Sequence, residues 1–430
     1  MCARLRPVII LRAGRADATS VVFRICSAIK CDESDSTFGK VRRKITPHDA
    51  LPDEGTSSST RQVLLVASAA WGLEGGLERF NRRLIRCLSD LMSGSRLRRV
   101  MALVHFEYPE HAGRYPRSVS FTPGCASVPR TLVSFAWLTL RRRPDVILYG
   151  VVSFAALLPL AAILSPRARR VLLVHGIEVW VRPSPFRRWA VKRFAGEIVA
   201  VSRFTVHRMC EVYGITEKRF RILANAVDVD GTHAAGGGPS PELQGEHRVF
   251  TISRLGERDY YKNVDKVILA LARIRESFPD THYYIVGTGS LRPDLEKLAR
   301  ETGMADYVHF LGIVDDATKD ALFEACHVFI LPSTGEGFGI VFLEAWRHGL
   351  PVICSDQDAA REVVRDGVDG FCVPPVPDRI AAAACALLAD PQARRSMGAA
   401  GLERLRQRYG HAQFHHTVEE ILFGDEPCAG

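Results

Sequence analysis

Two glutamates eight positions apart, Glu336 and Glu344, bracket the run Gly335-Glu336-Gly337-Phe338-Gly339-Ile340-Val341-Phe342-Leu343-Glu344-Ala345. The apolar stretch Val328 to Leu331 reads as a buried strand ahead of it, with Pro332-Ser333-Thr334 as the turn and an apolar helix to follow. Gly337 and Gly339 allow main chain to approach a ligand closely, and the N–H groups at a helix start can hold an anion. Glu336 precedes the helix and can accept hydrogen bonds from ligand hydroxyls. Glu344 stands near its second turn. Paired carboxylates beside a phosphate site suit a ligand that is part sugar and part diphosphate. The same letters also fit a surface acid and a helical one on either side of a Gly-rich turn.

Such a site needs strands to carry its loops. Val63 to Ala67 is a buried-strand run, and Gly75-Gly76 opens a helix with apolar residues at Leu77, Phe80, Leu84, Ile85 and Leu88. Further strand-like runs are Val100 to Phe106, Val146 to Tyr149, Val171 to Val174 and Glu197 to Val201. The stretch Ala234 to Pro241 (AAGGGPSP) reads as a linker. A second series follows at Val249 to Ser253, Tyr283 to Val286, Val308 to Leu311, Val328 to Leu331 and Pro351 to Ser355. Helical stretches lie between several of these strands, as a parallel sheet requires. The pattern predicts an α/β protein with two Rossmann-like, doubly wound domains facing a cleft. The expected divisions are a poorly structured extension over 1–60, domains over 61–235 and 236–410, and a closing helix with tail over 411–430.

At 430 residues the chain has room for two or three domains, and 47% hydrophobic content excludes whole-chain disorder. Eleven cysteines, an odd number scattered singly, argue against a disulfide framework or a structural zinc site and suit a reducing compartment. The uncharged stretch Val146 to Pro166 has the length of a membrane span, but Gly150 and Pro159 break it. A strand followed by a buried helix explains it better. The net charge of +9 hides an imbalance. Residues 61–225 carry 27 Lys+Arg against 10 Asp+Glu, and residues 226–430 carry 20 against 31. Arg141-Arg142-Arg143 and the basic residues from Arg182 to Arg193 show no stacking-aromatic or finger pattern, so nucleic acid is not expected as a partner. An anionic membrane surface fits the basic half better, though a merely solvated basic face fits too.

The Glu336 to Glu344 run, with Gly349-Leu350-Pro351-Val352-Ile353 after it, resembles the retaining glycosyltransferases of family 4, the group 1 glycosyl transferases. The resemblance extends over about residues 61–423. It implies the GT-B fold, with Glu336 touching the donor sugar's hydroxyls and Glu344 the nucleotide ribose. Ile252-Ser253-Arg254-Leu255 and Tyr261-Lys262-Asn263 look like the family's basic pair. An Arg after a strand and a Lys a few residues on can clamp a diphosphate and stabilise the leaving group's charge. Gly75-Gly76 resembles the N-domain loop that reaches the diphosphate from the opposite side. His175, at a strand end, matches a position that touches the donor sugar or orders the acceptor, although a lone His there is often structural. Asn225-Ala226-Val227-Asp228 departs from the usual pattern by carrying Ala226 in place of Gly.

The resemblance therefore implies Glu336, Arg254, Lys262 and His175 as catalytic positions, and Gly75, Gly76, Gly337, Phe338, Gly339 and Glu344 as donor-binding ones. No metal is expected, since Asp228-Val229-Asp230 is better explained by the family segment and adjacent His415-His416 do not share a helix face. No cofactor is expected, and a UDP- or GDP-sugar serves as donor substrate. The expected function is transfer of a hexosyl unit, with retention, to a saccharide or lipid-linked acceptor in cell-envelope polysaccharide (lipopolysaccharide-type) synthesis. The expected location is cytoplasmic, peripheral at the inner face of the cell membrane. Two rivals remain: a nucleotide-sugar 2-epimerase of the same architecture, and a non-catalytic nucleotide-sugar-binding or scaffold subunit.

Overall fold

The structure, a computed structural model, describes residues 60–73, 75–229 and 242–424. The linker expected at Ala234 to Pro241 and the extension expected over 1–60 lie outside the described residues, apart from Thr60. Two parallel sheets carry the chain. The first has seven strands: β1 (Arg61–Ala67), β2 (Leu97–Val104), β3 (Val119–Pro123), β4 (Val146–Tyr149), β5 (Arg169–Val174), β6 (Glu197–Ala200) and β7 (Phe220–Ile222). The second has six: β8 (His247–Ile252), β9 (Thr281–Val286), β10 (Val308–Gly312), β11 (Val328–Leu331), β12 (Val352–Ser355) and β13 (Gly370–Val373).

Strand order is β3-β2-β1-β4-β5-β6-β7 in the first sheet and β10-β9-β8-β11-β12-β13 in the second, every pairing parallel. Each order reverses once, between β1 and β4 and between β8 and β11. Those are the points where loops at strand C-termini splay apart and leave a crevice. The sequence reading missed β3, β7 and β13, three of the four outermost strands, and found the fourth, β10.

The pleat explains why Val63 to Ala67 reads as an unbroken apolar run. Val63, Leu65 and Ala67 face one core while Leu64 and Val66 face another, and all five are fully buried. Val146 to Pro166 resolves into β4, a 3₁₀ turn (Val152–Leu157) and a seven-residue helix, Leu158–Leu164. No helix among the described residues is long and apolar enough to cross a membrane.

The helix Pro391–Arg408 packs on the second sheet's side against Ile340–Arg347, after which His411–Phe423 crosses to lie on the helix Gly76–Ser93. Phe414 meets Phe80 at 5.6 Å between ring centroids, so one apolar cluster runs through both halves. A helix's C-terminal carbonyls carry partial negative charge, and here arginines from the first sheet cover them. Arg169 donates to the Leu422 carbonyl at 3.0 Å and the Ile421 carbonyl at 3.1 Å, Arg221 donates to the Glu420 carbonyl at 3.2 Å, and Arg61 also reaches Leu422. Replacing Arg169 by Met is expected to speed amide exchange in residues 414–423 by about tenfold, with β1 and β5 unchanged. Unchanged exchange in the helix would show that packing alone holds it.

Candidate active site

Loops from the strand ends converge between the sheets. Gly75 follows β1, Val151 follows β4 and His175 follows β5. Arg254 follows β8 and Glu336 follows β11. All ten positions singled out from the sequence line one cavity of about 650 Å³, namely Gly75, Gly76, His175, Arg254, Lys262, Glu336, Gly337, Phe338, Gly339 and Glu344.

The two halves touch through main chain. A Cβ on Gly337 would fall 1.7 Å from the His175 carbonyl oxygen, and one on Gly176, whose φ is +148°, would fall 2.7 Å from Gly337 Cα. Only glycine permits that approach. The Ser202 hydroxyl donates to the Gly337 carbonyl at 2.7 Å. Glu362, from the second half, accepts from the Arg203 N–H at 2.8 Å and from the Phe204 N–H, so it caps the helix Arg203–Tyr213 across the boundary. Gly75 and Gly76 differ from Gly337, because added Cβ atoms would meet only the flexible Glu78 carboxylate and Ile340 Cγ2 at 3.6 Å. Their bareness leaves room on the cavity side.

Cations and helix ends gather at the cavity, an arrangement that can hold an anion. The helices Gly76–Ser93 and Ile340–Arg347 both begin at the cavity, each bringing the positive end of its dipole. Lys262 pairs with Glu336, both side chains 14% exposed. Burial alone would weaken the ammonium's hold on its proton, but Glu336 more than reverses this, so its pKa is raised and Lys262 stays charged. Arg254 is anchored to Asp259 at 2.9 Å and its side chain is 73% exposed. The Lys262 loop is stitched to the Glu336 loop. Asn263 donates to the Pro332 carbonyl at 2.8 Å, and the Thr334 N–H reaches the Tyr261 carbonyl at 2.8 Å.

His175 is held by the first half. Its Nε2 lies 2.8 Å from the Gly150 carbonyl oxygen, which can only accept, so Nε2 carries the hydrogen and Nδ1 is left as an acceptor in the neutral ring. Burial lowers its pKa, which favours that neutral form. The Glu178 carboxylate accepts the His175 main-chain N–H at 2.5 Å. Phe338 is buried, with its ring against Tyr409 at 5.5 Å. Glu344 is bridged across the cleft by Arg79, with Lys319 at 3.9 Å. Asp228 is bound bidentately by Arg83 at 2.9 and 3.1 Å. Ala226 is absent from the positive-φ positions among the described residues, so the missing glycine costs that turn nothing.

Three supporting residues escaped the sequence reading. Glu107, fully buried, accepts the N–H groups of Ala70, Trp71 and Gly72 at 2.9, 2.6 and 2.8 Å and shapes the loop leading to Gly75. Arg79 belongs to a stripe with Arg82, Arg83 and Arg86, whose helical spacing was a usable signal of one basic face. Asp358, also fully buried, accepts the Glu336 N–H at 2.7 Å and the Ala360 N–H at 2.9 Å. Burial first, then the Glu336 charge, push its carboxyl up to about 8 against those two N–H groups and Lys262.

Gly337→Ala must part the two loops. It is expected to enlarge the radius of gyration in solution scattering while far-ultraviolet dichroism stays the same; an unchanged radius would mean the neighbours yield locally. Asp358 keeps its proton in the folded chain up to about pH 8, whereas an ordinary Asp releases it near 3.8. Folding therefore takes up a proton in that window, and this group's contribution to stability falls as pH rises through it. Asp358→Asn should flatten the decline in melting temperature across that range, and an unaltered slope would assign the titration elsewhere.

Comparison with known proteins identifies the family. Residues 241–404 match the family described as glycosyl transferases group 1, and residues 74–230 match glycosyltransferase family 4. A GDP-mannose-dependent alpha-(1-6)-phosphatidylinositol monomannoside mannosyltransferase of Mycolicibacterium smegmatis is 32% identical over 322 residues, 69% of this chain and 81% of the relative. A phosphatidyl-myo-inositol mannosyltransferase of Mycobacterium leprae is 38% identical over 190 residues, 43% of this chain and 48% of its own. Among solved structures, Anabaena Alr3699/HepE with UDP and glucose superposes with a TM-score of 0.68 at 20% identity, covering 85% of this chain and all of that one. Sucrose-phosphate synthase of Thermosynechococcus elongatus gives 0.69 at 19%, with the same coverage. With its paired parallel sheets and facing loops, the chain belongs to the family 4 glycosyltransferases and has their GT-B fold.

Proposed function

We propose that this glycosyltransferase moves a mannosyl unit from GDP-mannose, with retention and without a metal, to a lipid-linked acceptor of the phosphoinositide class at an anionic membrane surface. The observation that carries the reading is the cation pair Arg254 and Lys262 set against two converging helix starts, with Glu336 beside them. Those charges are placed to neutralise a diphosphate directly. The choice of GDP-mannose and of a lipid acceptor rests on the similarity to the Mycolicibacterium smegmatis mannosyltransferase.

In the reaction the acceptor hydroxyl attacks the anomeric carbon on the face that the diphosphate leaves. The C1–O bond to the diphosphate breaks, a phosphate oxygen takes the hydroxyl proton, and the new glycosidic bond forms with the donor's configuration. The sugar passes through an oxocarbenium-like state. Arg254 and Lys262 meet the charge that grows on the diphosphate, each contributing about 2–4 kcal/mol by analogy with oxyanion donors. Glu336 exchanges Lys262 for the sugar's hydroxyls, and Glu344 exchanges Arg79 for the ribose. His175 offers Nδ1 as an acceptor beside the sugar. The closed domain contact keeps water from the donor.

Calorimetry with GDP and UDP, with and without EDTA, tests the donor half. GDP binding that survives EDTA and weakens at least about tenfold in Arg254→Ala is expected. No binding of either nucleotide would move the chain toward the scaffold reading. Lys262→Ala should lower kcat about 10²–10³-fold, and the product anomer, read by proton NMR, should match the donor. Turnover of donor alone to its 2-epimer would establish the epimerase reading instead.

A further inference from the structure

We infer that the outer face of three helices in the first half, Val128–Arg142, Leu158–Leu164 and Pro185–Phe194, is the surface that seats this enzyme on an anionic lipid bilayer. The inference extends the lipid-acceptor reading, and its test is separable from that reading.

The three helices lie side by side over one face of the first sheet. Their inner residues, among them Phe135, Leu138, Leu158, Ala161 and Val191, fill one core. Their outward residues should then be polar. Instead Val133, Trp137, Ile163, Phe186 and Trp189 are between 49% and 57% exposed. The large exposed apolar residues of the second half, such as Tyr260, Ile313 and Val368, sit singly on separate elements. Scattered single residues need no partner; a shared face of two indoles, a phenyl ring and two branched chains does.

Charge selects that partner. From His111 to Gly196 the sequence has fourteen Lys+Arg and two acidic residues, Asp145 and Glu178. Neither acid belongs to the three helices, and both accept main-chain N–H groups, from Gln62 at 2.7 Å and His175 at 2.5 Å. Arg130, Arg141, Arg182, Lys192 and Arg193 are exposed among the apolar residues. Arg142 lies over Trp137 at 5.7 Å and Arg193 over Phe194 at 5.5 Å, so charge and ring are presented together. Apolar side chains entering the acyl boundary, with Arg and Lys at the level of the phosphates, is how an interfacial protein binds anionic lipid. Facing a second copy of itself, the surface would set arginine against arginine. It also runs into the active site: from Pro185 the chain leads back through exposed Arg182 and Val181 to Ile177, which lines the catalytic cavity. A lipid acceptor's headgroup therefore has a short path from the bilayer to His175.

The test uses the full chain with vesicles of phosphatidylcholine, alone or mixed with phosphatidylglycerol. Binding is expected to the mixed vesicles only and to fall steeply with salt. Lipids brominated on the acyl chains should quench tryptophan emission, with part of the quenching lost in Trp137→Phe and part in Trp189→Phe. Lys192→Glu with Arg193→Glu, both remote from the cavity, should weaken vesicle binding at least about tenfold while GDP affinity by calorimetry stays at the wild-type value. Equal binding to both vesicle types, quenching indifferent to either tryptophan, or a double variant that binds like wild type would each overturn the inference. So would lipid-free self-association that Phe186→Ser abolishes, since the face would then be a protein contact. Loss of nucleotide binding with vesicle binding intact would instead count against the transferase reading alone.

Discussion

Everything at the cleft depends on two peptide segments approaching more closely than any side chain would allow. The His175-Gly176 turn of one half lies against Gly337 of the other, and a single methyl group there would occupy the place of a carbonyl oxygen. Because the contact is main chain to main chain, it fixes distance and orientation together, and Ser202 and Glu362 reinforce it on one flank. Once it is made, the starts of two helices, the Arg254 and Lys262 cations and the Glu336 carboxylate have a common focus. The strand orders bring these loops to the same edge, and the glycine contact sets their final spacing.

The surplus of positive charge in the first half divides into three uses that a net figure cannot separate. Arg61, Arg169 and Arg221 cover the carbonyl end of the returning helix. Arg79 crosses the cleft to Glu344, so opposite charges of the two halves partly neutralise one another inside the molecule, while Arg83 is held by Asp228 within the first half. A third group, on the outer helices, forms the face proposed above to meet a bilayer. The same residue type thus serves as a helix cap and as an interdomain tie, according to what the backbone places within reach.

The interior strands were legible in the sequence because parallel strands buried on both faces read as unbroken apolar runs, as Val328 to Leu331 does. The strands that were missed, β3, β7 and β13, are edges. Phe220-Arg221-Ile222 is three residues long and half exposed, and Val119 to Pro123 ends in proline, so neither carries that signature. The line of β2 was read two residues too far, since His105 and Phe106 are apolar enough to extend a run but already turn toward the rim. The cavity residues were found because glycine, acid and base recur there at fixed spacing. Asp358 and Glu107 were not, because a lone acid in a sequence gives no sign of being buried beneath a loop and collecting its N–H groups. Nor could letters show that Lys262 and Arg79 already occupy the two carboxylates.

The returning helix has a consequence for how the molecule comes into being on the ribosome. The helix Gly76–Ser93 is made early, yet part of its cover, Phe414, Val418, Ile421 and Leu422, is supplied by residues translated more than 300 positions later. Domains commonly fold as they emerge, N-terminal first. Here the first sheet can assemble its strands on that schedule, but it must wait with one apolar flank uncovered until nearly the whole second half has been synthesised. Nascent chains stalled before residue 411 would be the population most in need of a chaperone, and synthesis of residues 411–423, rather than of either sheet, would be the event that seals the fold.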